Sequence, residues 1–340
     1  MASSAEIEAM RRALVIATSL GPMPGPNPRV GCVILDQRGE LVAEGLHRGA
    51  GSPHAEADAL VQAGDRVRGA TAVVTLEPCG HHGRTPPCSQ ALIDAGVARV
   101  VFAQSDPNPA AAGGAAQLAS AGIDVEGGVL SDDALTINEA WTFAVTHGRP
   151  LVTWKVAASL DGRVAANDGT SRWISGETSR SQVHALRAQV DAIVVGTGTV
   201  LSDDPHLTVR DGSGEPATRQ PLRVVVGIRD VPAHSRVLDG SAATLHLVTR
   251  DPAEVLATLH AREIRHVLLE GGPTLAAAFL RAGLVDRVQW YVAPVLLGAG
   301  SPAVGDLGIE SLVQAVRLAE VRVDLVGEDA RIQGIVSREG

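Results

Sequence analysis

The sequence predicts two consecutive α/β domains, and three observations indicate this fold class. The first half shows a β-hairpin followed by alternating helices and strands, which is typical of a three-layer α/β/α domain. A helical pattern ends at the breaker His147-Gly148-Arg149-Pro150, and a new β-pattern begins at Leu151. The second half alternates strands and helices again. Because 340 residues can bury two cores, we predict domains at 1–147 and 150–340.

Hydrophobic periodicity assigns the elements of the first half in order. The first is an amphipathic helix over 5–20, with Ile7, Met10 and Leu14 on one face. The last is a single helix over 131–147, capped by Ser131 and with two acidic residues in its first turn. Between them the pattern predicts strands at 30–35, 41–46, 71–76, 99–103 and 123–126, and helices from about 54, at 86–95 and at 113–121.

The second half continues with the same alternation. Predicted strands lie at 151–157, 191–196, 222–227, 244–249, 266–270 and 287–293, and predicted helices at 177–188, 252–262 and 274–282. An antiparallel pair, 318–325 with 331–336, closes the chain. In its first strand Val321, Val323 and Leu325 share one face, opposite the charged side chains of Arg322 and Asp324.

Composition excludes several classes of protein. The net charge of −9 is unlike the basic footprint of nucleic-acid-binding proteins. No stretch approaches the roughly 18 apolar residues of a membrane span, and the first residues lack the apolar core of a signal peptide. Only three cysteines are present, and two of them belong to a metal pattern, so no disulfide framework is expected. We therefore expect a cytoplasmic protein with neither membrane nor nucleic acid as partner.

The strongest motif is H-A-E at 54–56 followed by P-C at 78–79 and a second cysteine at 88. One imidazole and two thiolates, His54, Cys79 and Cys88, form the ligand set of a catalytic zinc site whose fourth position is left for water. Glu56 would be the acid/base that a zinc-activated water needs. This combination is the signature of zinc nucleobase deaminases, although eight residues separate the cysteines here instead of two.

A structural zinc site is the alternative, because His81 or His82 could supply a fourth protein ligand. The H-x-E spacing disfavours it, since a structural site has no use for the carboxylate of Glu56. Cys32, in the middle of a predicted strand, is expected to be a small core residue and not a ligand.

Four segments of the first half carry a family resemblance: G-P-N-P-R-V-G at 25–31, H-A-E, T-L-E-P-C-G-H-H-G-R-T-P-P-C at 75–88 and D-P-N-P at 106–109. They resemble the deaminase half of the bacterial bifunctional riboflavin-biosynthesis deaminase/reductases, which implies a cytidine-deaminase-like domain. The resemblance implies that His54, Cys79 and Cys88 bind zinc and that Glu56 shuttles protons. It also implies a set of residues around the substrate: Asn27, His47, His81 and Arg84.

Two features of this half leave the phosphate of such a substrate without a clear partner. Arg84 is either a phosphate ligand or a solvated loop cation. The segment A-A-A-G-G-A-A at 110–116 lacks the basic residue that the resemblance leads us to expect after its first glycine.

Three segments of the second half have turns suited to chemistry. V-L-L-E-G-G-P-T-L at 267–275 is a buried strand, two glycines and a helix start, which is either an anion-binding turn or a tight turn without a ligand. The others are a strand, a G-T-G turn and a D-D-P loop at 192–210, and K-V-A-A-S-L-D-G-R at 155–163 with its following loop.

In this order the three segments resemble the reductase half of the same family, which implies a dihydrofolate-reductase-like α/β domain and NADPH as cofactor. The resemblance places the cofactor against Ala158, Trp173, Thr199, Asp203, Gly272, Pro273, Thr274 and Leu275. It places the reductase substrate against Lys155, Ser171, Arg187, Leu207, Arg210 and Glu270. Arg187 and Arg210 would suit a phosphate, although Arg187 could instead be a surface residue of its helix. Gly227-Ile228 departs from the family, whose members commonly have Asp and a hydroxyl residue there.

The resemblance, which covers nearly the whole chain, implies a two-headed enzyme of riboflavin biosynthesis. It would deaminate a small phosphorylated diaminopyrimidinone and then reduce the ribosyl side chain to ribityl with NADPH, as a homo-oligomer, dimer or higher. A tRNA-editing deaminase is a rival reading, and the acidic balance and long inter-cysteine spacing count against it. A non-catalytic zinc-stabilised binding protein is a second rival, and Glu56 counts against that.

Overall fold

The computed structural model describes residues 1–21, 25–81, 87–210 and 214–337. The chain divides into two compact units, Met1–Gly148 and Arg149–Gly340. None of the helices within the described ranges combines the length and the apolar character that a membrane-spanning helix needs.

The first unit is built on a five-stranded sheet with strand order β2-β1-β3-β4-β5. β1 pairs antiparallel with β2 and β3, whereas β3, β4 and β5 are parallel. Its elements in chain order are α1 (Ser4–Thr18), β1 (Gly31–Leu35), β2 (Leu41–Leu46), α2 (Ala55–Ala63), β3 (Thr71–Leu76), α3 (Cys88–Ala95), β4 (Arg99–Gln104), α4 (Gly114–Ser120), β5 (Asp124–Gly127), α5 (Ser131–Ile137) and α6 (Glu139–His147).

The central strands β1, β3 and β4 are buried on both faces, which makes three layers. Because successive side chains of a strand point to opposite faces, Val73 packs with α1 while its neighbour Val74 packs with α2, α3 and α4. Cys32 is fully buried on the same face as Val74, which confirms that it is a core residue. The predicted α/β/α arrangement of this half is confirmed.

The prediction of a single helix over 131–147 is wrong, because the helix breaks at Asn138. Asn138 is fully buried, and its side chain accepts a hydrogen bond from the backbone N–H of Arg29 at 2.7 Å and donates one to the Arg29 carbonyl at 2.9 Å. Ser131 is also not the cap: it is the first helical residue, and Leu130, with a φ of 55°, precedes it. A tertiary contact has overridden a continuous helical pattern.

The second unit is built on an eight-stranded sheet with order β12-β13-β11-β6-β10-β7-β8-β9, parallel from β11 to β9. Its elements are β6 (Leu151–Ser159), α7 (Glu177–Arg187), β7 (Ala192–Gly196), α8 (Thr197–Asp203), β8 (Leu222–Val226), β9 (Thr244–Leu247), α9 (Pro252–Ala261), β10 (His266–Leu269), α10 (Pro273–Arg281), β11 (Arg287–Ala293), β12 (Leu318–Val326) and β13 (Asp329–Val336). The sequence indicated only a turn and a loop where α8 lies.

The carboxyl ends of the parallel strands share one edge of this sheet, where α/β folds bind ligands. The turns after β10, β7 and β8 therefore lie side by side on this carboxyl edge. Near the amino end of β8, the fully buried guanidinium of Arg223 donates to the carbonyl oxygens of His206 and Arg236 and to the carboxylate of Asp239. These bonds fasten the loop that follows α8 to the loop that precedes β9.

Candidate active sites

The first candidate site lies where β3 ends and two helices of the first unit begin. His54 is the residue preceding α2, and Glu56 lies in the first turn of that helix. Cys79 is in the loop after β3, and Cys88 is the first residue of α3. The alternation of strand and helix thus brings residues 34 positions apart in sequence to one point.

His54, Cys79 and Cys88 have the geometry of a metal site. The Nδ1 atom of His54 is 3.2 Å from the sulfur of Cys88 and 3.7 Å from that of Cys79, and all three ligand atoms lie within 4.8 Å of one another. A tetrahedral zinc ion with ordinary bond lengths separates an imidazole nitrogen and a thiolate by about 3.6 Å. The three side chains therefore fit zinc, and each points its donor atom at the common centre.

Hydrogen bonding within this group favours the thiolate that a metal needs. The bond with Cys88 lowers the pKa of Cys79 to about 4, and the same bond raises the pKa of Cys88. The backbone N–H of Cys88 also donates to the sulfur of Cys79 at 3.3 Å. A bound cation would hold both cysteines as thiolates.

Glu56 is buried beside these ligands, with 4% of its surface exposed. Burial raises the pKa of Glu56 to about 7, although the neighbouring charge of His54 opposes this. A carboxyl group that titrates near neutral pH can both accept and donate a proton, as a general acid/base must.

Asn27 and His47, both predicted to touch substrate, are bonded to each other. The Nδ1 atom of His47 lies 2.9 Å from the carbonyl oxygen of Pro53, which can only accept, so Nδ1 carries the hydrogen. Burial lowers the pKa of His47, so the ring is neutral and its Nε2 is an acceptor. The atom of Asn27 that lies 2.9 Å from Nε2 is then the amide nitrogen. The Oδ1 atom of Asn27 remains available as an acceptor.

The remaining predicted residues of this half are placed differently. His81 is exposed, while Arg84 lies outside the described residues, as does His82, the alternative fourth ligand. In the described part of the chain, the potential metal-ligand group consists of His54, Cys79 and Cys88 alone.

Sequence reasoning missed Glu77, which organises the loop beside the zinc ligands. Its carboxylate accepts hydrogen bonds from the backbone N–H groups of Asp106, Gly113 and Ala115. A β-carbon on Gly114 would lie only 1.7 Å from the carbonyl oxygen of Pro78. The Ala/Gly segment is thus packed directly against the loop that carries Cys79. Its place in the E-P-C sequence, two residues before a zinc ligand, was the signal that could have identified Glu77.

The second candidate site lies beside the carboxyl edge of the second sheet. Arg187, at the end of α7, makes a bidentate ion pair with Glu270, which follows β10: Nε–Oε1 is 2.6 Å and Nη2–Oε2 is 2.9 Å. Burial raises the pKa of Glu270, but the charge of Arg187 outweighs it and brings this pKa to about 2. Burial lowers the pKa of Lys155 on β6, against the favourable charge of Glu270. These three residues form one charged cluster.

Two further predicted substrate residues, Leu207 and Arg210, lie in the loop after α8. Leu207 is buried with a φ of 53°, and Arg210 is exposed and donates to the carbonyl oxygen of Gly214 at 2.8 Å. His184, one turn before Arg187, was missed: burial and then the charges of Arg187 and Arg210 lower its pKa. Its charged neighbours show that Arg210 faces the same region as Arg187.

Trp173 is 71% exposed, and the guanidinium of Arg180 stacks on its ring at 4.6 Å. Arg180 also donates to the carbonyl of Ser175, which fixes the loop that contains Ser171 and Trp173. Arg172 donates to the backbone carbonyl of Asp203, which links this loop to α8. Arg180 has no motif of its own and was not predicted.

The turns of the carboxyl edge provide a cradle for a dinucleotide. Gly272 precedes α10 without a side-chain cap, Pro273 is the first residue of the helix, and Thr274 and Leu275 complete its first turn. The N–H of Gly272 donates to Thr199 Oγ1 at 3.2 Å, which ties the two turns together. Small residues and an uncapped helix start suit a phosphate group. Ala158 is buried near the carboxyl end of β6. The residues present fit the cofactor.

Comparisons with known proteins cover both units. Residues 3–104 match the family model of the cytidine and deoxycytidylate deaminase zinc-binding region, and residues 150–332 match that of the RibD C-terminal domain. The chain is 51% identical to the riboflavin biosynthesis protein RibD of Mycobacterium tuberculosis over 89% of each chain. It is 42% identical to RibD of Escherichia coli over 94% of this chain and 96% of that one.

Two solved structures extend the similarity to the fold. RibD of Acinetobacter baumannii superposes with a TM-score of 0.89 at 39% identity, over 98% of this chain and 99% of that chain. The Thermotoga maritima protein described as a diaminohydroxyphosphoribosylaminopyrimidine deaminase/5-amino-6-(5-phosphoribosylamino)uracil reductase superposes with a TM-score of 0.87 at 32% identity, with the same coverage. The similarity spans both candidate sites.

Proposed function

Because the chain belongs to the RibD family, the bifunctional deaminase/reductases of riboflavin biosynthesis, we propose the substrates of its two sites. The zinc-dependent first domain deaminates 2,5-diamino-6-(5-phosphoribosylamino)pyrimidin-4(3H)-one. The NADPH-dependent second domain reduces the ribosyl group of the product, giving 5-amino-6-(5-phosphoribitylamino)uracil. The observation that carries the proposal is the convergence of His54, Cys79 and Cys88 beside the buried carboxyl of Glu56.

In the deamination, water adds to the ring carbon that bears the amino group, and the bond from this carbon to nitrogen breaks. His54, Cys79 and Cys88 would hold zinc, which would make the water acidic enough to react near neutral pH. Glu56 accepts the proton of that water and delivers it to the departing amine, which leaves as ammonia. A pKa near 7 equips Glu56 for both transfers.

Asn27 and His47 would orient the pyrimidine ring. His47 fixes the amide of Asn27 so that Oδ1 is left as an acceptor for a ring N–H or amino group. His81 and Arg84 complete the proposed substrate contacts from the segment between the two cysteines.

In the reduction, Lys155, Ser171, Arg187, Leu207, Arg210 and Glu270 would surround the sugar phosphate. Arg210 is the better candidate for the phosphate, because the guanidinium of Arg187 is already engaged by Glu270. The ionised Glu270 and the half-buried Lys155 would instead bind the ribosyl hydroxyls near the reacting carbon. NADPH supplies the hydride, and the protein supplies its orientation.

The proposed cofactor contacts extend along the carboxyl edge of the sheet. Ala158 lies on β6, where the hydride must reach the sugar, and Trp173, held by Arg180, would contact the cofactor from the loop that Arg172 links to α8. Thr199 and Asp203 on α8, with the first turn of α10 from Gly272 to Leu275, would hold the phosphates.

We also propose that the enzyme works in the cytoplasm as a homo-oligomer. The zinc site needs two reduced cysteines, which the cytoplasm maintains. β12 is an edge strand whose Val321, Val323 and Leu325 are 51%, 64% and 82% exposed, and such an edge invites pairing with a second copy. Light scattering on Val323→Lys should show a smaller particle than wild type; an unchanged mass would exclude this face.

The deaminase proposal is tested by incubating the zinc-loaded chain with the diaminopyrimidinone phosphate without NADPH. We expect ammonia and the uracil chromophore to appear together. Glu56→Gln should keep its zinc and lose about 100-fold or more in rate, because glutamine cannot move the proton. Absence of ammonia from the wild type, or full activity in Glu56→Gln, would contradict the proposal.

The reductase proposal is tested with the deaminated product supplied directly. NADPH oxidation should depend on that product and should continue at the wild-type rate in Glu56→Gln. Arg210→Ala should raise the KM for the product; an unchanged KM would exclude Arg210 as the phosphate ligand.

A further inference from the structure

The turn after β8 carries a guanidinium at the far end of the cofactor edge. We propose that Arg229 binds the 2′-phosphate of NADPH and so determines the preference for NADPH over NADH. This inference rests on the proposed placement of the cofactor along the carboxyl edge.

Strand order sets where each part of the cofactor lies. The parallel strands run β6-β10-β7-β8, so the turn after β8 is three strand spacings, or roughly 14 Å, from β6. The hydride must be delivered beside Lys155 on β6, and the tied turns at Thr199 and Gly272 lie between. A dinucleotide that reaches from β6 across these turns places its adenosine ribose at the end of β8.

Arg229 lies over the G-T-G turn at this place. Its Nη2 atom is 3.1 Å from the position that a β-carbon on Gly198 would occupy. A β-carbon at 198 would be in tight contact with the guanidinium, so glycine at this position leaves it the most room. The side chain is therefore directed back along the carboxyl edge, toward the turn proposed to hold the cofactor.

None of the described residues neutralises the guanidinium of Arg229, which is exposed. It has neither a hydrogen bond nor an ion pair to them, although Asp230 follows it in the chain. Its neighbours offer no other donor side chain for an anion: Gly227 has none, and Ile228 is an apolar side chain that is 55% exposed. Of these three residues after β8, Arg229 alone can bind a phosphate.

The chemistry of the two cofactors explains why this arginine would discriminate. NADPH carries a phosphate on the 2′-oxygen of its adenosine ribose, and a guanidinium can bind phosphate through two parallel hydrogen bonds. NADH has only a hydroxyl there and gains no ion pair. Arg250, three residues beyond Leu247, lies at the matched position on β9, because Val226 and Leu247 are paired in register. It is the neighbouring cation that the test must separate from Arg229.

The test measures binding of adenosine fragments to the full zinc-loaded chain by calorimetry. Wild type should bind 2′,5′-ADP more tightly than 5′-AMP. Arg229→Ala should weaken 2′,5′-ADP binding by about tenfold to 100-fold and change 5′-AMP binding by less than about twofold. Arg229→Lys should recover part of the loss, because lysine keeps the charge without the two-pronged geometry.

Arg262→Ala is the matched control, since Arg262 is exposed after α9 at the opposite edge of the sheet. It should bind both fragments like the wild type. If Arg229→Ala binds 2′,5′-ADP normally, if it loses both fragments equally, or if Arg250→Ala alone shows the loss, the inference is overturned. Failure of the proposed function is distinguishable, because then the wild type itself would not oxidise NADPH with the deaminated product.

Discussion

At the residue scale, both sites depend on side chains whose protonation is set by their surroundings. His47 is neutral because it is buried, and its bond to the Pro53 carbonyl leaves Nε2 as the acceptor that fixes the orientation of Asn27. Glu270 is ionised despite burial because Arg187 is bonded to both of its oxygens. Each pairing can be tested by a substitution that keeps the shape and changes the proton or the charge.

Asn27→Asp tests the first pairing. A carboxylate cannot donate to Nε2 of His47, so His47 should take up a proton and its pKa should rise. We expect ammonia release to fall by at least about tenfold, while zinc content stays unchanged. NADPH oxidation with supplied product is the internal control and should be unaffected; normal ammonia release would show that the Asn27–His47 bond has no role.

Glu270→Gln tests the second pairing through pH. The pKa of Glu270 is about 2 in the folded chain, below its usual 4.5, so the carboxylate stabilises the fold above about pH 4.5 and this contribution disappears as the pH falls toward 2. The contribution is at most about 3 kcal/mol. In hydrogen exchange of β10, Glu270→Gln should differ from wild type at pH 6 and progressively less toward pH 3.5.

The exposed Glu177, on α7, provides the control for this experiment. Glu177→Gln should behave like the wild type across the same pH range. If the difference in hydrogen exchange between Glu270→Gln and wild type grew as the pH fell, the stabilisation by ionised Glu270 would have the wrong pH dependence and the prediction would be contradicted.

At the element scale, Asn138 lies at the break between α5 and α6, and its side chain connects the end of the first unit to the active site of that unit. Asn138 holds both backbone groups of Arg29, and Arg29 is two residues from Asn27. The helix is therefore interrupted where the side chain of Asn138 holds the segment that contains Asn27, a proposed substrate ligand.

Asn138→Ala should therefore damage the deaminase selectively. Removing the amide leaves the N–H and carbonyl of Arg29 without this partner, which costs about 2 kcal/mol and frees the segment around Asn27. We expect a lower melting temperature of the first unit and a higher KM in ammonia release. Asn167→Ala, at an exposed position of the second unit, is the matched control. A lower melting temperature with an unchanged KM would show that Asn138 stabilises the fold but does not position the substrate site.

Elements built from local patterns were predictable, and those that depend on distant residues were not. The strands at 71–76 and 287–293 match their predicted ranges, because β-branched and apolar runs of that length have few other solutions. The break at Asn138 depends on Arg29, 109 residues away. The short helix α8 was missed because its G-T-G start resembles a turn.

At the scale of the whole molecule, the chain consists of two units, each with its own sheet and buried clusters. Cys32 and Val74 belong to the core of the first unit, and Trp154 and Phe279 to that of the second. The zinc motif was evident from sequence because its ligands lie in short contiguous segments. The pairing of Arg187 with Glu270 was not, because 83 residues separate them and neither belongs to a spacing that predicts the other.

Removal of zinc should therefore separate the two activities. Chelation should abolish ammonia release, because the zinc held by His54, Cys79 and Cys88 would no longer be present to activate the water. It should also lower the melting temperature of the first unit. NADPH oxidation with supplied product should remain near its original rate. Restored ammonia release on addition of zinc is the control; a parallel loss of both activities would show that the units depend on each other.

The close approach of Gly114 to Pro78 determines how this region can vary. The segment A-A-A-G-G-A-A has the composition of an interchangeable spacer, yet a single β-carbon at 114 would collide with the carbonyl oxygen next to a zinc ligand. In a saturation library over 110–116, the exposed Ala110 and Ala112 should accept most amino acids, while position 114 should accept glycine alone. A segment of simple composition thus contains one of the least replaceable positions of the deaminase, because Gly114 must carry a hydrogen where every other residue carries a β-carbon.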